Sequence, residues 1–556
     1  MVDRNKRWLF TMHQFKEREY KRILFIVATI SFFTKLWLED VGLMEARNFI
    51  SAREIVGSGN WLVTTLNGSY RFEKPPLPTW TVAAMMKITG NVDEAWIFRI
   101  PAALLSMWLV FLMYKFIKRL SEDNFLSFMS ALILSTTFML QKEGIVNTWD
   151  IFSYGFMFAS VVYLTEGLKT SKTFDFIKFA VCLAGSLLSK GPVAPYALLL
   201  PFLISYGIVY GIDDYKKNKI IIIKSLILAI LIALIWPLCM MISNSDLFLS
   251  ILEKETETWD SKSIRGYFYY LDYFVYTGGW LIFLLYSLFN KFLKDRISIN
   301  HKKVLKMSML WSLMSLILIS VIKMKKQRYG IPLYIISAIP SGVLCSYLYR
   351  STYDSLTKWD KYLLKIQEWI IKIVVIGIPI FLLVKSKFRP TPIVIVLIIF
   401  YSLLVKGYFY VLKKYKKEIA KMLVIGTAGL MLLISSTLVW FIYEEVLCPP
   451  QDKNIKYLKS VRKLDKKIEI YSTSFRIEDV WKIGRKLNVI ARVEKGSKET
   501  LNVPEKFLFL AEDSGDLENF KNYSNIKDYK IEKIEIYHRN VESEKFIRLY
   551  EIRLIK

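Results

Sequence analysis

The sequence predicts a multi-span α-helical membrane protein that ends in a small soluble α/β domain. Three observations carry this. Apolar residues make up 53% of the 556-residue chain, and its mean hydropathy is +0.32, too high for an ordinary soluble protein. The apolar residues gather into thirteen runs separated by short basic clusters. After Tyr443 the composition changes to dense charge of both signs. Residues 1–449 therefore form the membrane domain, with a first outer loop at 43–90, and residues 450–556 form the soluble domain.

Taken in order, residues 1–21 are basic and amphipathic and suit a cytoplasmic membrane surface. The charged start, MVDRNKRWLF, does not resemble a cleavable signal peptide. The expected spans are 23–38, 100–117, 126–140, 152–168, 174–188, 193–210, 220–242, 270–288, 304–322, 329–348, 370–384, 393–412 and 422–443. Residues 78–89 are apolar but only about half a span long, and are expected to lie along the interface. With the N-terminus inside, the inner loops hold KFIKRL, LKTSK, DDYKKNK, NKFLKDRISINHKK, TKWDKYLLK and KKYKKEIAK, all basic. That is the positive-inside pattern, and it places the terminal domain outside. Strands are expected at 467–471, 507–511, 533–537 and 545–555, with a helix at 476–487.

The net charge is +28, which in a soluble protein would suggest nucleic acid. Here the basic residues sit between apolar runs, so membrane lipid is the expected partner and nucleic acid is not. Cys182, Cys239, Cys345 and Cys448 suggest no pair and no metal spacing. None of the histidines, His13, His301 and His538, falls at the outer edge of the membrane core.

The loop 43–80 concentrates the chemistry. Glu45, Phe49, Ala52 and Val56 fall on one helical face, which Gly57 and Gly59 end. Asn67-Gly68 is a hairpin signal, and Glu73-Lys74 precede Pro75-Pro76. Pressed on the membrane domain, that helical face would aim Glu45 into a cavity. Three basic sites break the positive-inside pattern: Lys190 in LLSKGP, the run KMKKQRYG (323–330) and KSKFRP (385–390). A lysine near hydrocarbon is costly without an anionic partner, and a lipid phosphate at that depth is such a partner.

Asp150, in NTWDIFSYGF, opens a span, where a helix N-cap is the plainer reading. Beside Glu45 and Lys74 it suits transfer from a phosphate-linked donor to a hydroxyl. A carboxylate takes the acceptor's proton, and bases stabilise charge on the leaving phosphate. Glu45 is the expected acceptor-activating base, and Asp150 positions the acceptor or shares that role. Lys74, Lys190, Lys323, Lys326 and Arg328 are expected around the phosphate, with Glu73, Arg47, Asp40 and Arg265 in support.

The stretch AREIVGSGNWLVTTLNGSYRFEKPPLPTW resembles the first outer loop of ArnT-like polyprenyl-phosphate-dependent glycosyltransferases. FRIPAALLS, Asp150, SKGP (189–192) and RYGIPLYIISAIP (328–340) add to the likeness. The resemblance implies the GT-C fold with about thirteen spans and an outer C-terminal domain. It relates the chain to dolichyl-phosphate-mannose protein mannosyltransferases. It implies a sugar carried on undecaprenyl phosphate or a close relative, and an acceptor that is lipid A, another envelope glycolipid or a protein. The implied location is a bacterial-type inner membrane, with the site on the extracytoplasmic face. In the family an Asp-Glu pair opens the loop helix; here Met44-Glu45 stands there. The counterpart of Glu73 can help hold a divalent metal in the family, but no cofactor or metal is predicted for this chain. Competing readings are a lipid-linked sugar transporter or flippase, and a degenerate homologue that binds without transfer. Transporters show paired repeats, and no matching halves are found here.

Overall fold

The computed structural model describes residues 11–37, 41–261, 263–289, 291–385, 392–438, 467–473, 476–490, 500–511, 514–520, 522–523, 528–538 and 546–555. In chain order, α1 (Glu17–Phe33) precedes α2 (Leu43–Ser58), the hairpin β1 (Thr65–Leu66) and β2 (Ser69–Tyr70), and α3 (Leu77–Thr89). Then follow α4 (Ala95–Ser121), α5 (Asn124–Thr136), α6 (Phe138–Glu143), α7 (Trp149–Thr170), α8 (Thr173–Lys190) and α9 (Leu200–Tyr210). The helical series continues with α10 (Asp213–Lys217), α11 (Lys219–Ser243), α12 (Ser245–Ser261), α13 (Tyr273–Tyr276), α14 (Leu281–Phe289) and α15 (Ile299–Val321). It closes with α16 (Ile331–Arg350), α17 (Lys358–Lys385), α18 (Pro392–Lys414) and α19 (Ile419–Leu433).

Within the described residues each of the thirteen apolar runs is mostly helical, though 34–37, at the end of the first, form a turn. Among the described residues, eight helices are long and apolar enough to cross a membrane. They are α4, α7, α11, α15, α17, α18, and α16 and α19 with their preceding turns. The segments 267–276 and 278–289 meet at 96° and count as a ninth if they are one broken span. Gly278 takes φ +69° at that break, where a Cβ would also meet Met431 at 2.6 Å.

The chain divides into two compact units. The first comprises Met1–Leu36, Phe72–Pro78 and Arg99–Trp440, and holds the helical bundle. Its core is built from fully buried faces of α5, α7 and α16, including Phe128, Phe158 and Tyr334. Small residues let these helices approach closely, as at Gly342, where a Cβ would collide with Ser130.

The second unit comprises Trp37–Arg71, Thr79–Phe98 and Phe441–Lys556. It contains a five-stranded sheet in the order β4-β3-β5-β7-β6. The strands are β3 (Ile470–Ser472), β4 (Asn488–Val489), β5 (Lys506–Ala511), β6 (Tyr529–His538) and β7 (Phe546–Leu554). β3 runs parallel to β4 and β5, while β7 pairs antiparallel with β5 and β6. The helix α20 (Ile477–Ile483) packs with α2. Phe49 lies edge-on to Trp481 at 5.1 Å and to Phe98 at 5.4 Å between ring centres. Arg53 donates to the Val480 carbonyl at 3.3 Å, and Asn67 exchanges two hydrogen bonds with the Leu487 backbone at 2.8 and 2.9 Å. Val82, Ala83 and Met86 of α3 join the same core.

Within the second unit the apolar face of α2 packs on Trp481 and Phe98. An apolar stripe specifies burial but not a partner. The hairpin forms as expected: Asn67 and Gly68 both take positive φ, +55° and +83°, as a type I′ turn requires.

Candidate functional site

The first unit gathers charge where α7 begins and α8 ends. Asp150 is the second residue of α7, and the N-cap position belongs to Thr148. An acid in a helix's first turn and a base in the last turn of another both suit the helix dipoles. Lys190 is that base, the final residue of α8. Gly191 follows with φ +72° and ψ −149°, a region essentially reserved for glycine, and it turns the chain so that α8 stops there.

Lys190 Nζ donates to Asp150 Oδ1. Arg328 Nε stands 2.9 Å from Asp150 Oδ2 as an ion pair, without the alignment of a hydrogen bond. The side chains of Asp150 and Lys190 are 1% and 9% exposed, so these charges are paired away from bulk water. The ammonium also lies 3.8 Å from the centre of the Tyr329 ring, a cation–π contact. Tyr154, one turn after Asp150, donates to the Tyr329 carbonyl at 3.4 Å, and Tyr270 donates to the Lys326 carbonyl at 3.3 Å. These two phenols fix the turn that presents Arg328.

The EKPPL segment reaches the same place. Trp149 Nε1 donates to the Pro75 carbonyl at 3.2 Å, which ties the double proline to the start of α7. Lys74 is close enough to act electrostatically on both Asp150 and Lys190. Glu73 beside it is exposed.

A 350 Å³ hollow adjoins the cluster, lined by Glu143, Arg265, Tyr269, Lys326 and Arg328 among others. Its wall is an irregular two-strand contact: Ile264 pairs antiparallel with Met324, and Lys325 N donates to Ser263 O at 3.0 Å. Lys325 is a buried staple there. Its ammonium donates to the Ile322 and Arg265 carbonyls at 2.6 and 3.2 Å, and burial lowers its pKa. Lys323 is exposed, and its carbonyl accepts from Arg265 N at 3.4 Å.

The structure thus brings together Asp150, Lys190, Arg328 and Lys74, and sets Arg265 and Lys326 on the adjoining hollow. Glu45 and Arg47 belong to the second unit. Glu45 is 2% exposed in the first turn of α2, and the Arg47 carbonyl accepts from Arg71 at 3.0 Å. Asp40 lies outside the described residues, as do positions 386–390 of KSKFRP. Both oxygens of Asp150 face cations. Tyr154, Tyr270 and Tyr329 were not singled out from sequence. One signal was available: Tyr154 follows Asp150 at i+4, hence on the same helix face.

Residues 73–236 match the family model described as dolichyl-phosphate-mannose-protein mannosyltransferase. That stretch holds Lys74, Asp150 and Lys190. An undecaprenyl phosphate-alpha-4-amino-4-deoxy-L-arabinose arabinosyl transferase from Shewanella sediminis is 26% identical over 334 residues, 54% of this chain. An uncharacterized protein from Aquifex aeolicus is 26% identical over 295 residues, 52% of this chain. The chain spans about half the length of these curated relatives, 56% in each case. The crystal structure of ArnT from Cupriavidus metallidurans bound to undecaprenyl phosphate superposes with a TM-score of 0.69 at 14% identity. That match covers 96% of this chain and 97% of the other.

The fold is that of a multi-span membrane protein of the GT-C type. In sequence and in fold the chain is similar to ArnT.

Proposed function

We propose that the chain is a glycosyltransferase that moves a sugar from a polyprenyl monophosphate carrier, of the undecaprenyl phosphate type, to an envelope acceptor. The acceptor is lipid A, another glycolipid or a protein, and transfer takes place on the extracytoplasmic face of the inner membrane. The observation that carries this reading is the buried Asp150–Lys190 pair with Arg328 against it, and with Lys74, Lys326 and Arg265 near it. One carboxylate orients two cations, and the further bases leave the neighbourhood positive. Such a site suits a phosphate that gains charge as its sugar departs. In this reading Asp150 is a positioning residue. Glu45 remains the proposed base for the acceptor hydroxyl.

Two variants of the full chain test both assignments. Lys190→Ala is expected to weaken undecaprenyl phosphate binding about 10–150-fold, the equivalent of one charge-assisted contact of about 1.5–3 kcal/mol. Glu45→Gln is expected to lower transfer about 10²–10⁴-fold, with little change in carrier binding. Unchanged carrier binding in Lys190→Ala removes that lysine from the site. Normal transfer by Glu45→Gln removes Glu45 as the base.

A further inference from the structure

A second basic site lies far along the chain from the Asp150 group, between α17 and α18. A groove of 600 Å³ there is lined by Lys372, Lys413, Lys416 and Lys417 over a floor that includes Phe409 and Leu412. The acids on it are Asp354 and Glu368. Glu368 is taken up by Lys372 at 2.5 Å. Lys413, Lys416 and Lys417 are exposed and make no ion pair among the described residues. The groove therefore carries a surplus of positive charge.

The surroundings are apolar in one direction. Ile376 and Ile380 follow Lys372 at successive i+4 steps and are 47% and 57% exposed. Lys372 Nζ also lies 5.6 Å from the Phe409 ring centre, so the groove's charged mouth and apolar floor meet there. A cation cluster at the head of an exposed apolar stripe matches a molecule with an anionic head and hydrocarbon tails. A free anion has no use for the stripe, and an acidic protein has no use for isoleucines at the level of the acyl chains.

We propose that this groove binds an anionic glycerophospholipid, its phosphodiester among Lys413, Lys416 and Lys417 and its acyl chains along Ile376 and Ile380. The site is independent of the transfer reaction. Each lysine near an anionic lipid is worth about a fivefold preference over a neutral one.

The test is native mass spectrometry of the full chain with phosphatidylglycerol or phosphatidylcholine. The wild type should retain phosphatidylglycerol in preference. The triple variant Lys413→Gln, Lys416→Gln, Lys417→Gln should bind it about a hundredfold more weakly, and the matching triple Lys→Arg variant should keep it. Equal retention of both lipids by the wild type overturns the proposal, as does unchanged retention by the Gln variant. If the Gln variant aggregates, the wild type decides: its preference must fall at high salt, and a salt-independent preference overturns the proposal. Loss of undecaprenyl phosphate binding in the Gln variant would make these lysines part of the donor path instead, and also overturns it.

Discussion

Two aspartates in the bundle each hold two basic groups, and they do different things. Asp123 accepts Arg350 in a two-pronged pair at 2.5 and 2.8 Å and lies 3.1 Å from His301. It also accepts the backbone N–H groups of Phe125 and Leu126, so it caps α5. Its oxygens are spent on closing a helix end and tying 123, 301 and 350 together. Asp150 caps nothing. It is more deeply buried, and its two cations are joined by others nearby. An acid that satisfies backbone as well as bases is a clip. One whose counter-charges exceed it can serve as the base plate of an anion site.

The widest separation between the two should come from removing each charge. Asp150→Asn leaves Lys190 and Arg328 facing each other without their acid, and is expected to cost about 3–5 kcal/mol of stability. Asp123→Asn keeps a competent N-cap and should cost about 1 kcal/mol or less beyond its ion pairs. Thermal unfolding in detergent compares them, and equal losses would erase the distinction. Added undecaprenyl phosphate should stabilise the wild type and not the Asp150 variant.

A middle-sized effect is expected from the turn that ends α8. Gly191→Ala forces a side chain into a glycine-only region at a cost of about 1–3 kcal/mol. It should displace Lys190 and weaken carrier binding without altering unfolding of the Asp123 end, as hydrogen exchange would show.

The smallest effect separates the two by pH. Burial opposes ionisation of Asp123, but hydrogen bonds from His301 and Arg350 prevail and hold its pKa below the ordinary carboxylate value. A depressed folded pKa gives stability that is present above the unfolded value of about 4. That stability is lost as pH falls further, toward the folded value. Wild type should therefore lose more melting temperature than Asp123→Asn on acidification from about pH 5 downward. Parallel curves would show that Asp123 adds nothing there.

Much of this was legible in the chain itself. The positions of Lys74, Asp150, Lys190 and Arg328 could be picked out because charge beside long apolar runs is conspicuous. Their pairing could not, since residues 74, 150, 190 and 328 meet only through the packing of several helices. The N-cap role weighed for Asp150 falls to Thr148, one turn geometry that NTWD leaves open between neighbours. The partner of the α2 face was equally hidden: Phe49 is apolar wherever it goes, and nothing local points to Trp481. Strands β5 to β7 were readable from short runs, continuous and apolar in β5 and alternating in β6 and β7. The parallel neighbour β4, only two residues long, left no such trace.

The bond from Arg53 to Val480 spans 427 positions of sequence. At about 5–20 residues per second of synthesis, a ribosome needs on the order of 20–90 s to travel between them. Through that interval the first loop exists without Trp481, and Phe49 and Arg53 have no native partner on that side. The loop that carries Glu45 is therefore finished only after the last part of the chain has been made. Message truncation, or failure to deliver the terminal sheet, leaves the bundle with an incomplete loop. Biogenesis thus has an order written into it, with the first loop waiting for a helix made more than 400 residues later.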